Sequence, residues 1–250
     1  MTKWYDVRTN AYIEWCYGDG RDVARDLAAE TGLQPGMRVL DVGCNIGNMS
    51  FYLAREHRCY AVGVDASRAA VEVAQIRAQE DPPPNPAVFH VADARDMPFD
   101  DGEFDAVLSK DTFVNIADKP RLAQELFRVV KPGGRLAFTD WMQGNPQPTQ
   151  AYLAWREFKK EEPFEMLSLD GYADLLRNAG FRMIAAQDRG AEYRRHISER
   201  YAAFVAADPA EMQSRFGISD HEYWVRRFGM ARDVWMARDV TWGQVIAEKP

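Results

Sequence analysis

Cysteine is scarce in this sequence, which has three cysteines in 250 residues, at Cys16, Cys44 and Cys59. An odd number excludes a framework in which every cysteine is paired, and the scattered positions lack the short spacing of metal ligands. The four histidines are dispersed as widely. The sequence therefore predicts neither a disulfide-stapled fold nor a metal site.

Long hydrophobic runs and clusters of basic residues are also missing. No apolar run approaches the roughly 18 residues of a membrane span, and the N-terminal segment has no apolar core of a secretory signal. No run of Lys or Arg is longer than two residues, and the formal net charge is −7. These absences argue against a nucleic-acid binder and against a membrane-anchored protein, so we expect a cytoplasmic one.

Short apolar segments alternate with helical patterns as far as about Asp140. Such alternation is typical of parallel βαβ units. The continuous apolar character of the segments indicates strands that are buried on both faces of a sheet. The predicted strands of this part read MRVLDVG, CYAVGVD, AVFHVAD, FDAVLSK and RLAFTDW, and a helix over KPRLAQELFRVVK is expected to end at PGG.

The pattern changes after Trp141. A helix is predicted over SLDGYADLLRNAGF, with Ser168 as its N-cap and Gly180 as its C-terminal stop. A strand FRMIAAQDR follows, then a helical stretch rich in Tyr, Trp, Arg and His over about 193–237, and a final strand VTWGQVIAEKP. We interpret the whole chain as one α/β domain with a late helical insert.

The stretch VLDVGCNIGNMS has the form of a buried strand, a glycine turn and a helix. Gly43 and Gly47 would let the backbone approach a ligand, and the following helix would direct its free N–H groups toward it. The dinucleotide pattern G-x-G-x-x-G is not met, because Asn45 and Asn48 occupy two of the glycine positions. Asn45 suits a left-handed backbone. An ordinary tight turn is the alternative interpretation.

Three aspartates lie at the carboxyl ends of consecutive predicted strands. Asp65 ends the second strand, where a carboxylate can accept both hydroxyls of a ribose. Asp93 ends the third strand, within reach of an adenine edge. Asp41 precedes the glycine turn, and its burial would require donors or a ligand ammonium. Each alone could be a strand-end cap, but together they converge on the crevice where open α/β sheets bind ligands.

Four ordered motifs resemble those of class I S-adenosylmethionine-dependent methyltransferases: VLDVGCNIG, VGVDAS, ADARDMPFDDGEFDAVLS and ELFRVVKPGGRLAFTDW. The resemblance covers about 33–141. It implies a Rossmann-like, doubly wound, seven-stranded sheet that is mostly parallel with an antiparallel last strand. It also implies S-adenosylmethionine as cofactor and S-adenosylhomocysteine as product.

The resemblance assigns roles to individual residues. Gly43 and Gly47 would face the methionine part of the cofactor, Asp41 would lie near its ammonium group, Asp65 would hold the ribose, and Asp93 would contact the adenine. The neighbouring positions expected to contribute to the cofactor site are Cys44, Ala66, Ala94, Ser109 and Lys110. The segment LSKD, at the end of the fourth strand, would lie beside the methyl group and the acceptor.

The stretches SKDTFVNIADKPRLAQELFRVVKPGGRLAFTDW, LSLDGYADLLRNAGF and TWGQVIAEK are similar to phosphoethanolamine N-methyltransferases, and YIEWCYGDG is similar to their short aromatic lid segment. Those enzymes rely on a lid tyrosine and on a histidine four residues after the strand-four aspartate. Trp15 and Asn115 stand at the matching positions, which puts phosphoethanolamine itself in doubt as substrate. The resemblance divides the single domain 1–250 into a helical lid over 1–32, a cofactor-binding core over 33–141 and a helical substrate cap over 190–238.

Methyl transfer from a sulfonium requires alignment of the acceptor more than activation of the donor. An amine acceptor must also lose a proton, which a nearby carboxylate can receive. Asp111 is the candidate for orienting the acceptor and taking that proton, and Asn115 would add a hydrogen bond. The alternative interpretations are a helix N-cap for Asp111 and a turn or cap residue for Asn115.

Substrate-binding candidates lie at both ends of the chain. Trp15 and Tyr17 could hold a cationic amine by cation–π contact or could simply pack in the core. Tyr193, Arg194 and Arg195, in the predicted insert, could bind an anionic substituent of the substrate. A solvated helix face is the alternative for the arginines.

The sequence leaves several functions open. A small-molecule N-methyltransferase is favoured, while Asn115 in place of histidine keeps an O- or C-methyltransferase of specialised metabolism possible. A subunit that binds the cofactor without catalysing a reaction is the alternative outside the enzymes. The net negative charge of the chain argues against an RNA methyltransferase. We expect a small-molecule substrate as the partner, no nucleic acid and no membrane, and a monomer or homodimer.

Overall fold

The computed structural model describes residues 20–160, 164–216 and 219–250. Its centre is one seven-stranded sheet with the strand order β3-β2-β1-β4-β5-β7-β6. The first five strands pair in parallel, while β7 lies between β5 and β6 and is antiparallel to both. The predicted seven-stranded sheet and its antiparallel last strand are thereby confirmed. The strands are β1 Arg38–Val42, β2 Tyr60–Asp65, β3 Ala87–Val91, β4 Phe104–Lys110, β5 Val130–Gln143, β6 Arg182–Asp188 and β7 Val240–Glu248.

Nine α-helices are found in the described part of the chain. Helices α1 to α4 and α6 flank the sheet. Helices α5, α7, α8 and α9 pack together beside strand β7, in the C-terminal part of the chain. None of the described helices is long and apolar enough to cross a membrane. The helices are α1 Arg21–Thr31, α2 Asn48–Glu56, α3 Arg68–Glu80, α4 Lys119–Val129, α5 Gln150–Phe158, α6 Leu169–Asn178, α7 Gly190–Val205, α8 Pro209–Phe216 and α9 His221–Met236.

Local sequence signals explain where several helices begin and end. Ser168 caps α6 as predicted, because its hydroxyl accepts from the Gly171 N–H at 3.0 Å, and Gly180 follows the helix with a φ of +105°. The end predicted for α4 is wrong by two residues. The helix stops at Val129, and β5 already begins at Val130, because Pro-Gly-Gly forms an irregularity in the β4–β5 pairing.

Packing on the two faces of the sheet holds the strand ends in place. One face buries a large apolar cluster against α4 and α6, around Leu40, Val107 and Phe138. The opposite face packs against α1 and α2, around Leu27, Leu53 and Leu108 in the second cluster. With both faces covered, the ligand-sized openings of such a sheet are confined to the carboxyl ends of its strands.

The insert packs against the sheet through aromatic rings. Tyr193 of α7 stacks on Trp235 of α9 with ring centroids 4.2 Å apart, and it also contacts Trp242 of β7 at 5.4 Å. Trp141, at the end of β5, meets Trp235 edge-on at 5.4 Å. These four rings form the aromatic cluster, a name used below for Trp141, Tyr193, Trp235 and Trp242. The cluster fixes the insert beside the end of β4.

Candidate active site

The glycine turn after β1 has the predicted form. Gly43 and Gly47 adopt φ values of +77° and +87°, and Asn45 has a left-handed φ of +50°. A Cβ on Gly43 would lie 2.1 Å from Thr112 Oγ1, and one on Gly47 would lie 2.7 Å from the Phe89 ring. Only glycine therefore fits at these two positions, and the turn lies directly against the segment that follows β4.

A buried polar atom in the turn has no partner. The Asn45 N–H donates to Asp65 Oδ2 at 2.9 Å, but its side-chain Oδ1 is buried without a hydrogen-bond partner in the part of the chain that the structure describes. Buried carbonyl oxygens are rarely left unpaired in native proteins. A ligand with an N–H or O–H group at the turn would satisfy Asn45 Oδ1.

Asp41 is a buried carboxyl beside the turn, with 1% of its surface exposed. The Ser50 hydroxyl, in the first turn of α2, donates to Asp41 Oδ2 at 2.7 Å. Burial raises the pKa of Asp41 to about 7, although the hydrogen bond from Ser50 opposes the change. A cationic group of a ligand near Asp41 would favour its ionised form.

Asp65 occupies the end of β2, as expected. Its two carboxylate oxygens each accept one backbone N–H, from Ser67 at 2.8 Å and from Asn45 at 2.9 Å. Burial raises the pKa of Asp65, and these two hydrogen bonds oppose the rise. A carboxylate has about four acceptor positions, so Asp65 retains capacity for the two hydroxyls of a ribose. The neighbouring Ala66 is exposed.

The third predicted contact, at Asp93 and Ala94, has a different character. The Asp93 side chain is 48% exposed. Arg95 donates two hydrogen bonds to its carboxylate, from Nε to Oδ1 at 2.9 Å and from Nη2 to Oδ2 at 2.6 Å. Hydrogen bonds from Arg95 lower the pKa of this carboxyl. Ala94 is 9% exposed and packs against the apolar core. Asp93 is therefore at the rim of the crevice and is oriented by Arg95, a residue that the sequence analysis did not single out.

Cys44 packs beside β2 and β3, in a cluster with Phe51 and Phe89, whereas Ser109 and Lys110 lie at the end of β4. Cys44 is 5% exposed, and burial raises the pKa of its thiol well above the ordinary value. Ser109 is fully enclosed, and its hydroxyl donates to the Val42 carbonyl at 2.7 Å. Ser109 thus shapes the site by joining β4 to β1, rather than through a side chain exposed to a ligand. The Lys110 ammonium lies 3.3 Å from Asp111 Oδ2.

Asp111 follows β4 with a left-handed φ of +53°. Its Oδ1 accepts from the Trp242 indole N–H at 2.7 Å and from the Thr139 hydroxyl at 3.2 Å. The carboxylate caps no helix, because the short 3₁₀ helix Phe113–Asn115 has Thr112 at its N-cap position. The capping interpretation of Asp111 is therefore wrong, and its side chain, 18% exposed, is held by the sheet.

Asn115 lies at the end of this 3₁₀ helix and is partly buried. Its backbone N–H donates to the Thr112 carbonyl at 3.0 Å. Among the described residues, no hydrogen bond involves its side-chain amide. The structure places Asn115 one short turn after Asp111, on the element that also carries Thr112 against the glycine turn.

The substrate-binding candidates lie in different environments. Tyr193 is buried in the aromatic cluster with 7% exposure, next to Trp242 and therefore close to Asp111. Arg194 is half-buried and Arg195 is exposed, and neither forms an ion pair within the described ranges. Trp15 and Tyr17, with the rest of the predicted lid up to residue 19, lie outside the described residues.

Besides Arg95, sequence reasoning missed Trp242 and Arg189, which also shape the site. Trp242 was recognised only as part of a terminal strand, and Arg189 was not considered at all. The Arg189 guanidinium lies 5.1 Å from the centroid of the Trp242 ring and forms an ion pair with Asp26 of α1 at 3.0 Å. No local pattern in the sequence signals either contact, because each joins distant parts of the chain.

Comparison with known proteins agrees with this geometry. Residues 40–138 match a family model described as a methyltransferase domain. A phosphoethanolamine N-methyltransferase of Triticum aestivum is 30% identical over 231 residues, which are 92% of this chain and 44% of that protein. An O-methyltransferase of Penicillium expansum is 32% identical over 171 residues, covering 68% of this chain and 60% of that one.

The same fold is found in solved structures. A Haemonchus contortus phosphoethanolamine N-methyltransferase 2, in complex with phosphomonomethylethanolamine and S-adenosylhomocysteine, superimposes with a TM-score of 0.89 at 22% identity. The match covers 99% of this chain and 58% of that one. The chain also spans about half the length of the plant phosphoethanolamine N-methyltransferases that it matches.

The fold and the glycine-turn site thus define a methyltransferase domain of the Rossmann-like class. More narrowly, the domain matched over residues 40–138 is of the S-adenosylmethionine-dependent methyltransferase type that the ordered motifs predict. S-adenosylmethionine is the cofactor of this class, and the described residues fit it. An unpaired Asn45 Oδ1, an Asp65 carboxylate with spare acceptor capacity and two positions that admit only glycine lie at one crevice.

Proposed function

We propose that the chain transfers the methyl group of S-adenosylmethionine to the nitrogen of a small amine that Asp111 orients. The observation that carries the proposal is the direct contact between the glycine turn and the start of the acceptor segment. A Cβ on Gly43 would collide with Thr112, the residue after Asp111. A methionine chain bound along the turn therefore ends beside the Asp111 carboxylate.

Each candidate residue has a distinct task in this proposal. Asp65 holds the ribose hydroxyls, Asp41 faces the ammonium of the methionine part, and the backbone of Gly43 and Cys44 borders the methionine chain. The cofactor supplies an electrophilic methyl group on a sulfonium. Asp111 accepts a hydrogen bond from the acceptor N–H, which directs the nitrogen lone pair at the methyl carbon and provides a site for the released proton.

An amine is favoured over an oxygen or carbon acceptor by two observations. The phosphoethanolamine N-methyltransferase of Triticum aestivum matches over 92% of the chain, whereas the O-methyltransferase of Penicillium expansum matches over 68%. Asp111 is a partly exposed carboxylate at the proposed acceptor position, and its negative charge would attract an ammonium group more strongly than a hydroxyl and could take the proton that the nitrogen must release before it attacks. The helical insert 190–238 would enclose the acceptor, since Tyr193 of the insert contacts the Trp242 ring whose N–H donates to Asp111.

The test is transfer of label from methyl-labelled S-adenosylmethionine to a panel of phosphoethanolamine, amino acids, simple amines, phenols and aromatic N-heterocycles. Label on an amine nitrogen supports the proposal. Label found only on oxygen or carbon overturns the assignment of the acceptor, and binding of the cofactor without any transfer favours a non-catalytic subunit.

Asp111→Asn tests the role of the carboxylate within the same assay. We expect about a hundredfold loss of kcat, the lower range for loss of a positioned acid–base group, with cofactor affinity unchanged. Asp118→Asn is the matched control, because Asp118 is also an aspartate with a left-handed φ of +58° but caps α4 at the surface. Normal turnover by Asp111→Asn removes Asp111 from the reaction.

A further inference from the structure

One contact of the site joins the end of β4 to β7, across the intervening strand β5. The Trp242 indole N–H of β7 donates to Asp111 Oδ1 at 2.7 Å, across 131 positions of sequence. Thr139 of β5 donates to the same oxygen at 3.2 Å, and its carbonyl accepts the Asp111 N–H at 2.8 Å. Oδ1 is therefore occupied by two donors, while Oδ2, 3.3 Å from the Lys110 ammonium, retains acceptor capacity for the N–H of a methyl acceptor.

Arg189 also holds Trp242 in place. The Arg189 guanidinium lies 5.1 Å from the Trp242 ring centroid, and the Arg189 N–H donates to the Trp242 carbonyl at 2.7 Å. Arg189 is fixed by Gln244 Oε1 at 2.6 Å and by Asp26 at 3.0 Å. Trp242 is 4% exposed, so its ring has little freedom to leave Asp111.

We infer that Trp242 is a positioning residue for methyl transfer, which fixes the rotamer of Asp111 by donating to its Oδ1. Fixing Oδ1 with a buried indole donor presents Oδ2 to the acceptor in one orientation, which is what in-line displacement requires. A cation over the indole face draws electron density from the ring, and we expect this to strengthen the N–H as a donor. The inference rests on the proposed role of Asp111.

Two other charged groups in the described residues act at this carboxylate. The Lys110 ammonium lies 3.3 Å from Asp111 Oδ2. Asp140 is buried in β5, and burial, with a smaller contribution from the nearby Asp111 carboxylate, raises the pKa of Asp140 to about 8. Neither Lys110 nor Asp140 contacts Oδ1. Removing the Trp242 indole N–H therefore changes the contacts of Oδ1 and leaves the interactions with Lys110 and Asp140 in place.

Trp242→Phe tests the inference, because it keeps an aromatic ring and removes the N–H. We expect kcat to fall about tenfold, the effect of losing one hydrogen bond to a charged group, with KM for the cofactor unchanged. The acidic limb of the pH–rate profile should also move to higher pH, because the ionised carboxylate has lost a donor. A purely structural role for Trp242 would not move that limb.

Trp155→Phe is the matched control. Trp155 is 1% exposed and packs against Trp141, but its indole nitrogen has no hydrogen-bond partner in the described structure. This variant loses the same buried ring area without losing a donor to Asp111, so its pH–rate profile should match that of the unsubstituted protein. Equal kinetic changes in both variants would assign the effect to packing and overturn the inference.

Thr139→Val provides a second, nearly isosteric variant should Trp242→Phe fail to fold. It removes the 3.2 Å donor from the same oxygen and should shift the acidic limb in the same direction by a smaller amount. An unshifted profile in the folded variant contradicts the inference. If Asp111→Asn is inactive while both donor variants behave normally, the proposed function survives and the role of Trp242 does not.

One measurement requires no acceptor. Exchange of the Trp242 indole proton with solvent, followed by NMR and assigned through its loss in Trp242→Phe, should be slow in the unsubstituted protein and faster in Asp111→Ala. Fast exchange in the unsubstituted protein would show that the hydrogen bond does not persist in solution, and the inference would fall.

Discussion

The Ser50 hydroxyl donates a 2.7 Å hydrogen bond to the buried Asp41 carboxyl, from the helix that follows the glycine turn to the strand that precedes it. This bond therefore links the two elements that flank the turn. Burial nonetheless raises the pKa of Asp41 to about 7. The ionised carboxylate is therefore disfavoured until a cation, such as the ammonium of the methionine part, arrives.

Asp41→Asn should change how stability depends on pH. The raised pKa means that the folded protein keeps a proton on Asp41 which the unfolded chain has released, so this group costs stability as pH rises from about 4 to about 7. Asparagine does not ionise, so the variant does not lose this stability as the pH rises. Its Tm without ligand should exceed that of the unsubstituted protein at pH 8, by about 2–4 °C for each kcal/mol of penalty removed.

The same variant should lose the stabilisation that S-adenosylhomocysteine provides, because the neutral amide cannot pair with the ligand ammonium. Melting curves between pH 5 and pH 8, with and without S-adenosylhomocysteine, check both effects. Ser50→Ala is the companion variant, since loss of its donor raises the pKa of Asp41 further and should steepen the pH dependence. Parallel curves for all three proteins would contradict the assignment.

Asp65→Ala should abolish measurable binding of S-adenosylhomocysteine, because no other described carboxylate occupies the end of β2. Titration calorimetry measures the affinity, and a melting curve confirms that the variant is folded. Asp96→Ala is the control, since Asp96 is 87% exposed and pairs with Arg121 only at 3.8 Å. Unchanged affinity of Asp65→Ala would remove Asp65 from the cofactor site.

Gly43→Ala should destabilise the protein and block the turn. The alanine would adopt a left-handed backbone, at roughly 1–2 kcal/mol, and its Cβ would also lie 2.1 Å from Thr112 Oγ1. Gly36→Ala separates the two effects, because Gly36 has a φ of +87° but no atom within 4 Å of an added Cβ.

Relief of the overlap displaces Thr112 or the turn, so Gly43→Ala should lose about 1–3 kcal/mol more than Gly36→Ala. Chemical denaturation measures the two free energies of unfolding. S-adenosylhomocysteine affinity should fall in Gly43→Ala alone. Equal losses of stability in the two variants would show that the turn tolerates a side chain against Thr112.

The sheet was predictable because its central strands are buried on both faces and must be apolar, as VLDV and AVGV are. The positions of Asp41 and Asp65 followed, since each directly ends or adjoins such a strand. Asn45 was also foreseen as a left-handed residue. These features depend on local sequence and on one rule, that parallel strands bring their carboxyl ends to the same edge.

The environment of Asp111 was not predictable in the same way. A residue before TFVNI has the local pattern of a helix cap, and only the pairing of β7 with β5 shows that Trp242 reaches it. Arg95 was overlooked for another reason: its bond to Asp93 depends on a turn geometry that charge spacing does not specify. Helix α5 was missed because Thr149, its N-cap, follows a proline-rich loop that indicates only irregular structure.

The position of β7 gives the fold an order of assembly. This strand is later in the chain than both β5 and β6, yet it lies between them and pairs with each. During synthesis, β6 therefore has no partner strand until residues 240–248 have left the ribosome. Since β7 also carries the indole that binds Asp111, the nascent chain can form its glycine turn early but acquires an oriented carboxylate only when the sheet closes.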